Sequence, residues 1–222
     1  MIRLENLTKR YRLNGRETLV ADRLNAEFPT GASVALLGRN GAGKSTLLRM
    51  IAGTVSPTSG RVVSDGTISW PVGFSGSFHP ELTGAQNVRF VARIYGVDTD
   101  ELVDYVADFA ELGQHYHQPF GSYSSGMRSR LAMGTSMGIH FDTYLVDEVT
   151  SVGDADFRAK SQRVFADRMA RSSAIVVSHS MPMIRNMCTI GAVLHQGAIS
   201  VFQNLEDAIS MHEAILKVPS GK

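Results

Sequence analysis

Between Gly38 and Ser45 the chain reads Gly-Arg-Asn-Gly-Ala-Gly-Lys-Ser, a G-x-x-x-x-G-K-S spacing whose residue types suit the holding of a polyphosphate. Glycines such as Gly38, Gly41 and Gly43 let the backbone fold tightly enough that successive N–H groups point at an anion, and a helix starting there adds the positive end of its dipole. Lys44 is then placed to reach the β- and γ-phosphates, and the Ser45 hydroxyl to ligate Mg²⁺. The flanks agree, since Ser33–Leu37 is apolar and short enough for a buried strand and Thr46–Ala52 can continue a helix. The competing account is a glycine-rich strand-to-helix turn with no ligand. Agreement of the spacing with both flanks favours a nucleoside triphosphate.

Two further stretches carry charge or donors. Asp147 and Glu148 end a short apolar run, where one carboxylate can hold Mg²⁺ through water and the second can polarise an attacking water. Asp147 suits the first role and Glu148 the second, against the plainer reading of an acidic strand end. Tyr123-Ser124-Ser125-Gly126-Met127 precedes a helical run from Arg128, gathering hydroxyls and N–H groups at a helix start, as an anion site or an ordinary N-cap.

These residues need a scaffold. Ile2–Tyr11 alternates apolar and polar residues as a half-buried strand, Asn14-Gly15 supplies a turn, and Thr18–Phe28 predicts a second strand, together an antiparallel sheet. After the phosphate-loop helix, Gly53 suits a C-cap, residues 56–60 a turn, and Arg61–Trp70 a hairpin about Asp65-Gly66. Residues 74–131 read as mainly helical, with helices near Ala85–Tyr95 and Asp100–Leu112. In the second, Leu102, Val103, Val106, Phe109 and Ala110 share a face and Gly113 marks the end. Thr143–Val146 and Ala174–Val177 read as buried parallel strands. A hairpin about Gln196-Gly197 and a helix over Leu205–Leu216 complete the chain. The expected division is one domain over 1–222, with residues 1–73 and 132–222 forming the core and β subdomain and residues 74–131 a helical insert.

Composition narrows the class. The 222 residues hold 22 Lys plus Arg against 21 Asp plus Glu, so no global field points to nucleic acid or an anionic membrane. The one cysteine, Cys188, excludes an internal disulfide framework. The opening Met-Ile-Arg-Leu-Glu-Asn has no apolar leader, which predicts a reducing cytoplasm. No apolar run approaches the roughly 18 residues of a spanning helix, so membrane attachment is expected through another subunit.

In order along the chain, these stretches resemble the ATP-binding subunits of ABC transporters over essentially its whole length. Gly38–Ser45 matches Walker A, Tyr123–Met127 the LSGGQ signature, Leu145–Glu148 the end of Walker B, Ser151–Asp154 the D-loop and Ser178-His179 the switch histidine. The resemblance implies an α/β fold: a P-loop NTPase (RecA-like) core with an N-terminal antiparallel β subdomain and an inserted α-helical subdomain. It implies ATP and Mg²⁺ as ligands, with Asn40 and Thr46 joining the phosphate loop and Tyr11 in place of the adenine-stacking aromatic. It also implies a head-to-tail homodimer, in which Ser124, Ser125, Gly126 and Asp154 of one copy close on the nucleotide held by the other. Following a buried strand, His179 is positioned to contact the γ-phosphate and fix the attacking water, beside Glu148 as base and Lys44. His115 and His117, lacking a third ligand, are expected on the surface.

The sequence also departs from that pattern. Ser125 replaces a glycine and Met127 the glutamine of the signature. Residues 70–80 offer no Q-loop glutamine: Gln86 comes too late, leaving His79, a serine or nothing as the substitute. Strings such as Ile68-Ser69-Trp70-Pro71, Leu82-Thr83-Gly84, Arg89–Tyr95 and Tyr144–Asp154 look like the capsular polysaccharide exporters of Gram-negative bacteria, with O-antigen and teichoic acid exporters sharing parts of them. The resemblance implies an ATPase at the cytoplasmic face of the inner membrane that drives an integral membrane permease and acts on polysaccharide only indirectly. Phe78, Arg89, Phe90 and Arg93 are candidate permease contacts, although the phenylalanines also suit subdomain core. An ABC ATPase acting on nucleic acid is disfavoured by the near-zero charge. A nonhydrolytic scaffold is disfavoured by Lys44, Asp147, Glu148 and His179.

Overall fold

The computed structural model describes residues 1–13, 15–73, 76, 78–147 and 154–218. The chain opens with β1 (Ile2–Leu13), β2 (Arg16–Phe28), β3 (Ser33–Leu37), α1 (Lys44–Ile51), β4 (Ser59–Ser64) and β5 (Ile68–Pro71). Three helices follow, α2 (Gly84–Tyr95), α3 (Thr99–Ala110) and α4 (Ser125–Gly138). The last part alternates: β6 (Thr143–Asp147), α5 (Ala155–Met169), β7 (Ser173–Val177), α6 (Met181–Met187), β8 (Ile190–His195), β9 (Ala198–Phe202) and α7 (Leu205–Lys217).

One compact unit consists of Met1–Pro71, Phe141–Glu148 and Arg171–Lys222 and holds both sheets. Strands β2-β1-β4 form an antiparallel sheet, and β5-β6-β7-β3-β8-β9 form a second. In the second sheet every neighbouring pair is parallel except β8 with β9. The run Ala174–Val177, read as a buried strand, lies in β7, which is buried along its whole length, as a parallel strand covered on both faces must be. Leu4, Leu7, Leu24 and Phe28 of the antiparallel sheet share one apolar cluster with Leu47 and Leu48 of α1 and with Leu145 and Ile175. Because β3, β6 and β7 run parallel, with Val34 opposite Ile175 and Asp147 opposite Val177, their carboxyl ends lie at one edge. The residues after Leu37, at Asp147 and after Val177 therefore meet there.

The hairpin expected about Asp65-Gly66 does not form. Strand β4 pairs antiparallel with β1, whereas β5 pairs parallel with β6, so the turn carries the chain from one sheet to the other. Burial explains the switch: β4 is largely exposed, while Ser69, Trp70 and Pro71 of β5 are buried. Gly66 takes no positive φ and so cannot make the tight hairpin turn. A side chain there would instead lie 2.7 Å from the Asp142 carboxylate. That carboxylate accepts from the Thr67 N–H at 2.7 Å and the Thr67 hydroxyl at 2.8 Å. By contrast Gln196 and Gly197, at φ 48° and 77°, do close the expected β8–β9 hairpin.

The other compact unit consists of Val72–His140 and Val149–Ala170. It holds both α4 and α5. Packing gives the reason: at Gly138, near the end of α4, a side chain would meet Leu102 of α3 at 2.4 Å. Helix α3 buries Leu102, Val103, Val106, Phe109 and Ala110, the face read from the sequence. It ends earlier than expected, at Ala110, with Glu111 at φ 52° as its left-handed C-cap and Gly113 following at φ 54°. The N-termini of α2, α3, α4 and α5 each have a side-chain cap, from Thr83, Asp98, Ser124 and Asp154, which satisfies amide donors that a helix start leaves open.

Candidate functional site

The loop between β3 and α1 is built by glycines in conformations other residues resist. Gly38, Gly41 and Gly43 stand at φ 155°, 79° and 101°. A side chain at Gly38 would lie 2.5 Å from the Leu194 carbonyl, and one at Gly43 2.3 Å from Val20 Cγ1. The Ala42 N–H donates to the Arg39 carbonyl at 3.0 Å, and the Lys44 ammonium donates to the carbonyls of Gly38 at 2.8 Å and Arg39 at 3.1 Å. The cation is thus held over the mouth of its own loop.

Helix α1 differs from the capped helices: its N-cap is Gly43 in the left-handed region, with no side-chain cap bond and no acidic residue in the first turn. The amides of Lys44, Ser45 and Thr46 lie in that first turn, where no intrahelical acceptor exists. Amide donors, the helix dipole and an ammonium together fit a phosphate chain. Asn40 and Ser45 are exposed on this loop and Thr46 is half-buried.

At the same sheet edge Asp147 is half-buried at the end of β6. Among the described residues no group of three or more His, Cys, Asp or Glu gathers to hold a metal. Ser45 and Asp147 are the described oxygen-bearing residues here that could join water and a ligand's own phosphates around a divalent ion, the sparse kind of set Mg²⁺ uses. His179 is exposed beyond β7, where the Ser178 hydroxyl accepts from the Ser180 N–H at 3.0 Å. Glu148 and the D-loop residues Ser151, Val152 and Gly153 lie outside the described residues. Tyr11 is exposed on β1, with the Lys9 ammonium 4.9 Å from its ring centroid.

Within the helical unit, Ser124 caps α4, its hydroxyl accepting from the Met127 N–H at 3.2 Å. Ser124 and Ser125 are exposed and Gly126 half-buried. A side chain at Gly126 would approach nothing closer than 3.9 Å, so protein packing gives no reason for that glycine. Asp154 caps α5 through the Phe157 N–H at 3.0 Å and pairs with Arg130 of α4 at 2.7 Å. The Phe157 N–H first, then Arg130, hold its carboxyl below the ordinary range. Arg130 also lies over the Phe157 ring at 4.3 Å, fastening the signature helix to the start of α5.

Other expected residues are accounted for by local structure. Gln86 forms a capping box with Thr83, its carbonyl accepting from the Thr83 N–H at 2.9 Å. Its side chain is therefore committed to the start of α2. His79 is exposed, its Nδ1 accepting from the Glu81 N–H at 3.3 Å; Ser75 and Ser77 lie outside the described residues. Phe78 is buried against Phe120, with ring centroids 5.2 Å apart, so it is core and no partner anchor. Phe90 remains exposed on α2, as do Arg89 and Arg93.

Sequence reasoning missed Asn87, buried in α2. Its amide donates to the carbonyls of His79, Leu82 and Thr83 while its oxygen accepts from the His79 N–H at 2.7 Å. The available signal was a polar residue on the apolar stripe of a helix. Arg39, Arg130 and Asp142 left no such signal, because their partners lie far away in the chain.

A family model described as "ABC transporter" matches residues 21–151, and the chain belongs to that family. It is 48% identical over 217 residues to the polysialic acid transport ATP-binding protein KpsT of Escherichia coli, covering 96% of both chains. It is 40% identical over 216 residues to the capsule polysaccharide export ATP-binding protein CtrD of Neisseria meningitidis serogroup B, covering 97% of this chain and 100% of that one. Its fold is that of the ATP-binding cassettes. A dimeric cassette in a post-hydrolysis state bound to ADP and Pi superposes with a TM-score of 0.73 at 21% identity, covering 91% of this chain and 98% of that one.

Proposed function

We propose that this chain is the ATP-hydrolysing subunit of an exporter that moves capsular polysaccharide across the inner membrane. The observation that carries the reading is the glycine-shaped loop before an uncapped α1, with Lys44 folded over it and Asp147 and His179 at the same sheet edge. The likeness to the capsule-export relatives along nearly the whole chain supplies the substrate class. In this reading Gly38, Asn40, Gly41, Gly43, Lys44, Ser45 and Thr46 cradle the phosphates, and Tyr11 stacks on the base. Ser45 and Asp147 are the residues that would hold Mg²⁺, which supplies charge neutralisation at the phosphates when bound. Glu148 takes the proton of the attacking water and His179 orients that water. Ser124, Ser125, Gly126 and Asp154 face the nucleotide of a second copy in a homodimer.

Among the described residues no helix is long and apolar enough to cross a membrane. The reading therefore assigns the spanning part to an integral membrane permease and places this chain at its cytoplasmic face. Arg89, Phe90 and Arg93 on the exposed side of α2 serve as docking residues; no role for nucleic acid is proposed. The test is a strain whose only copy carries Lys44→Ala. Surface capsule should disappear and polymer collect inside the cell, measured by capsule-specific antibody on intact and permeabilised cells. A capsule that persists unchanged sinks the exporter reading, and loss of a different surface polymer redirects it to O-antigen or teichoic acid.

A further inference from the structure

Arg39 belongs to the phosphate loop, yet its side chain leaves it. The Arg39 carbonyl accepts from Lys44 inside the loop, while the guanidinium donates to the carbonyls of Val218 at 3.0 Å and Ile215 at 3.4 Å. Val218 is the C-cap of α7 and Ile215 lies in its last turn. Carbonyls there have no intrahelical partner, and they form the negative end of the helix dipole. A permanently charged guanidinium with several forked donors suits that place.

A second observation joins α7 to the same loop. His212 of α7 is 8% exposed, and its Nδ1 is buried without a hydrogen-bond partner. A buried orphan of this kind is costly and uncommon. Burial first, with the Lys44 charge next, pushes its imidazole below the ordinary value, against the opposing pull of the Glu213 carboxylate, so the loop lysine is felt at this turn of α7. The helix is anchored from beneath as well, Ala208 lying so close to β8 that a side chain at Gly191 would meet its Cβ at 2.2 Å.

We propose that Arg39 is a positioning residue that clamps the phosphate loop to the carboxyl end of α7, so that the last turn of α7 sets how tightly the loop holds a nucleoside triphosphate. The affinity part rests on the nucleotide reading above; the clamp itself does not. Loop and helix are separated by most of the chain, and the clamp gives the C-terminal helix a direct grip on the carbonyl that receives Lys44.

The experiment uses the full chain with Arg39→Ala, Arg39→Lys and a stop after Lys217, which deletes the Val218 acceptor, alone and combined with Arg39→Ala. Amide hydrogen exchange across residues 38–45 is measured without nucleotide, and MgATP binding by titration. Arg39→Ala should raise exchange in the loop and weaken MgATP binding by about tenfold, the scale of one charged hydrogen bond, with a smaller change in the saturated turnover rate. Arg39→Lys should recover part of the loss. The truncation should weaken binding in the wild-type background and add nothing in Arg39→Ala. Unchanged loop exchange in Arg39→Ala, or a truncation effect that simply adds to it, overturns the clamp. Wild-type protein that binds no MgATP while Arg39→Ala still loosens the loop overturns only the nucleotide reading and supports the clamp.

Discussion

Gly43 and Gly126 are the same residue type held in place for different reasons. At Gly43 a side chain meets Val20 Cγ1 at 2.3 Å and the backbone stands at φ 101°; at Gly126 it meets nothing within 3.9 Å. Gly43→Ala should therefore cost about 1–3 kcal/mol of stability from backbone strain alone. Adding Val20→Ala should return only the part due to overlap, read by urea denaturation. Gly126→Ala is expected to leave stability unchanged or raise it, since alanine favours the helix by up to about 1 kcal/mol. Its turnover should nevertheless fall about tenfold or more, because the added methyl lies where a phosphate from the second copy is expected. A Gly126→Ala protein with full turnover would remove that glycine from the site. Tyr11, Asn40 and Thr46 rest on the family pattern, the first two also on their exposure.

At the scale of elements, one carboxylate fastens the junction between β4 and β5. Asp142, just before β6, accepts twice from Thr67, and its own N–H donates to the Thr67 hydroxyl at 3.0 Å. The Thr67 N–H, and then its hydroxyl, hold the Asp142 carboxyl below the usual carboxylate range. A depressed folded-state value means the contribution is complete above the unfolded carboxylate value of about 3.9 and is lost as pH falls through the folded one. Asp142→Asn should accordingly melt below wild type at neutral pH, and the gap in Tm should close as pH drops below about 4. A gap that stays constant down to low pH would show that the carboxylate's charge is irrelevant and that only shape mattered.

At the scale of the whole molecule, the proposed site is divided between copies, which makes a mixing experiment decisive. Ser124→Arg should block closure by steric conflict while the subunit still binds ATP through its own loop, and Lys44→Ala should bind ATP poorly. Neither alone should dimerise with ATP. In a heterodimer of the two, both lesions fall on one composite site and the other site is intact. ATP-driven dimers, followed by size exclusion with a Glu148→Gln background to retain nucleotide, should return in the mixture. Their absence would count against the head-to-tail arrangement.

What the sequence determined by itself was chemistry that depends on near neighbours. Gly38 to Ser45 shape their own turn, Ser124 caps the helix it starts, Asp147 ends its own strand, and Leu102 to Ala110 repeat at helical spacing. Such features are set within a few residues, so type and spacing suffice. The tertiary structure alone decided where distant segments met. The Asp65-Gly66 turn became a passage between sheets because Trp70 and Pro71 found burial beside β6, and Arg130 found Asp154. Arg39 likewise acquired the end of α7, some 180 residues away, because β3 and β8 pair side by side and α7 packs on β8. Contacts of this kind depend on which strands become neighbours, and local residue patterns carry no record of that.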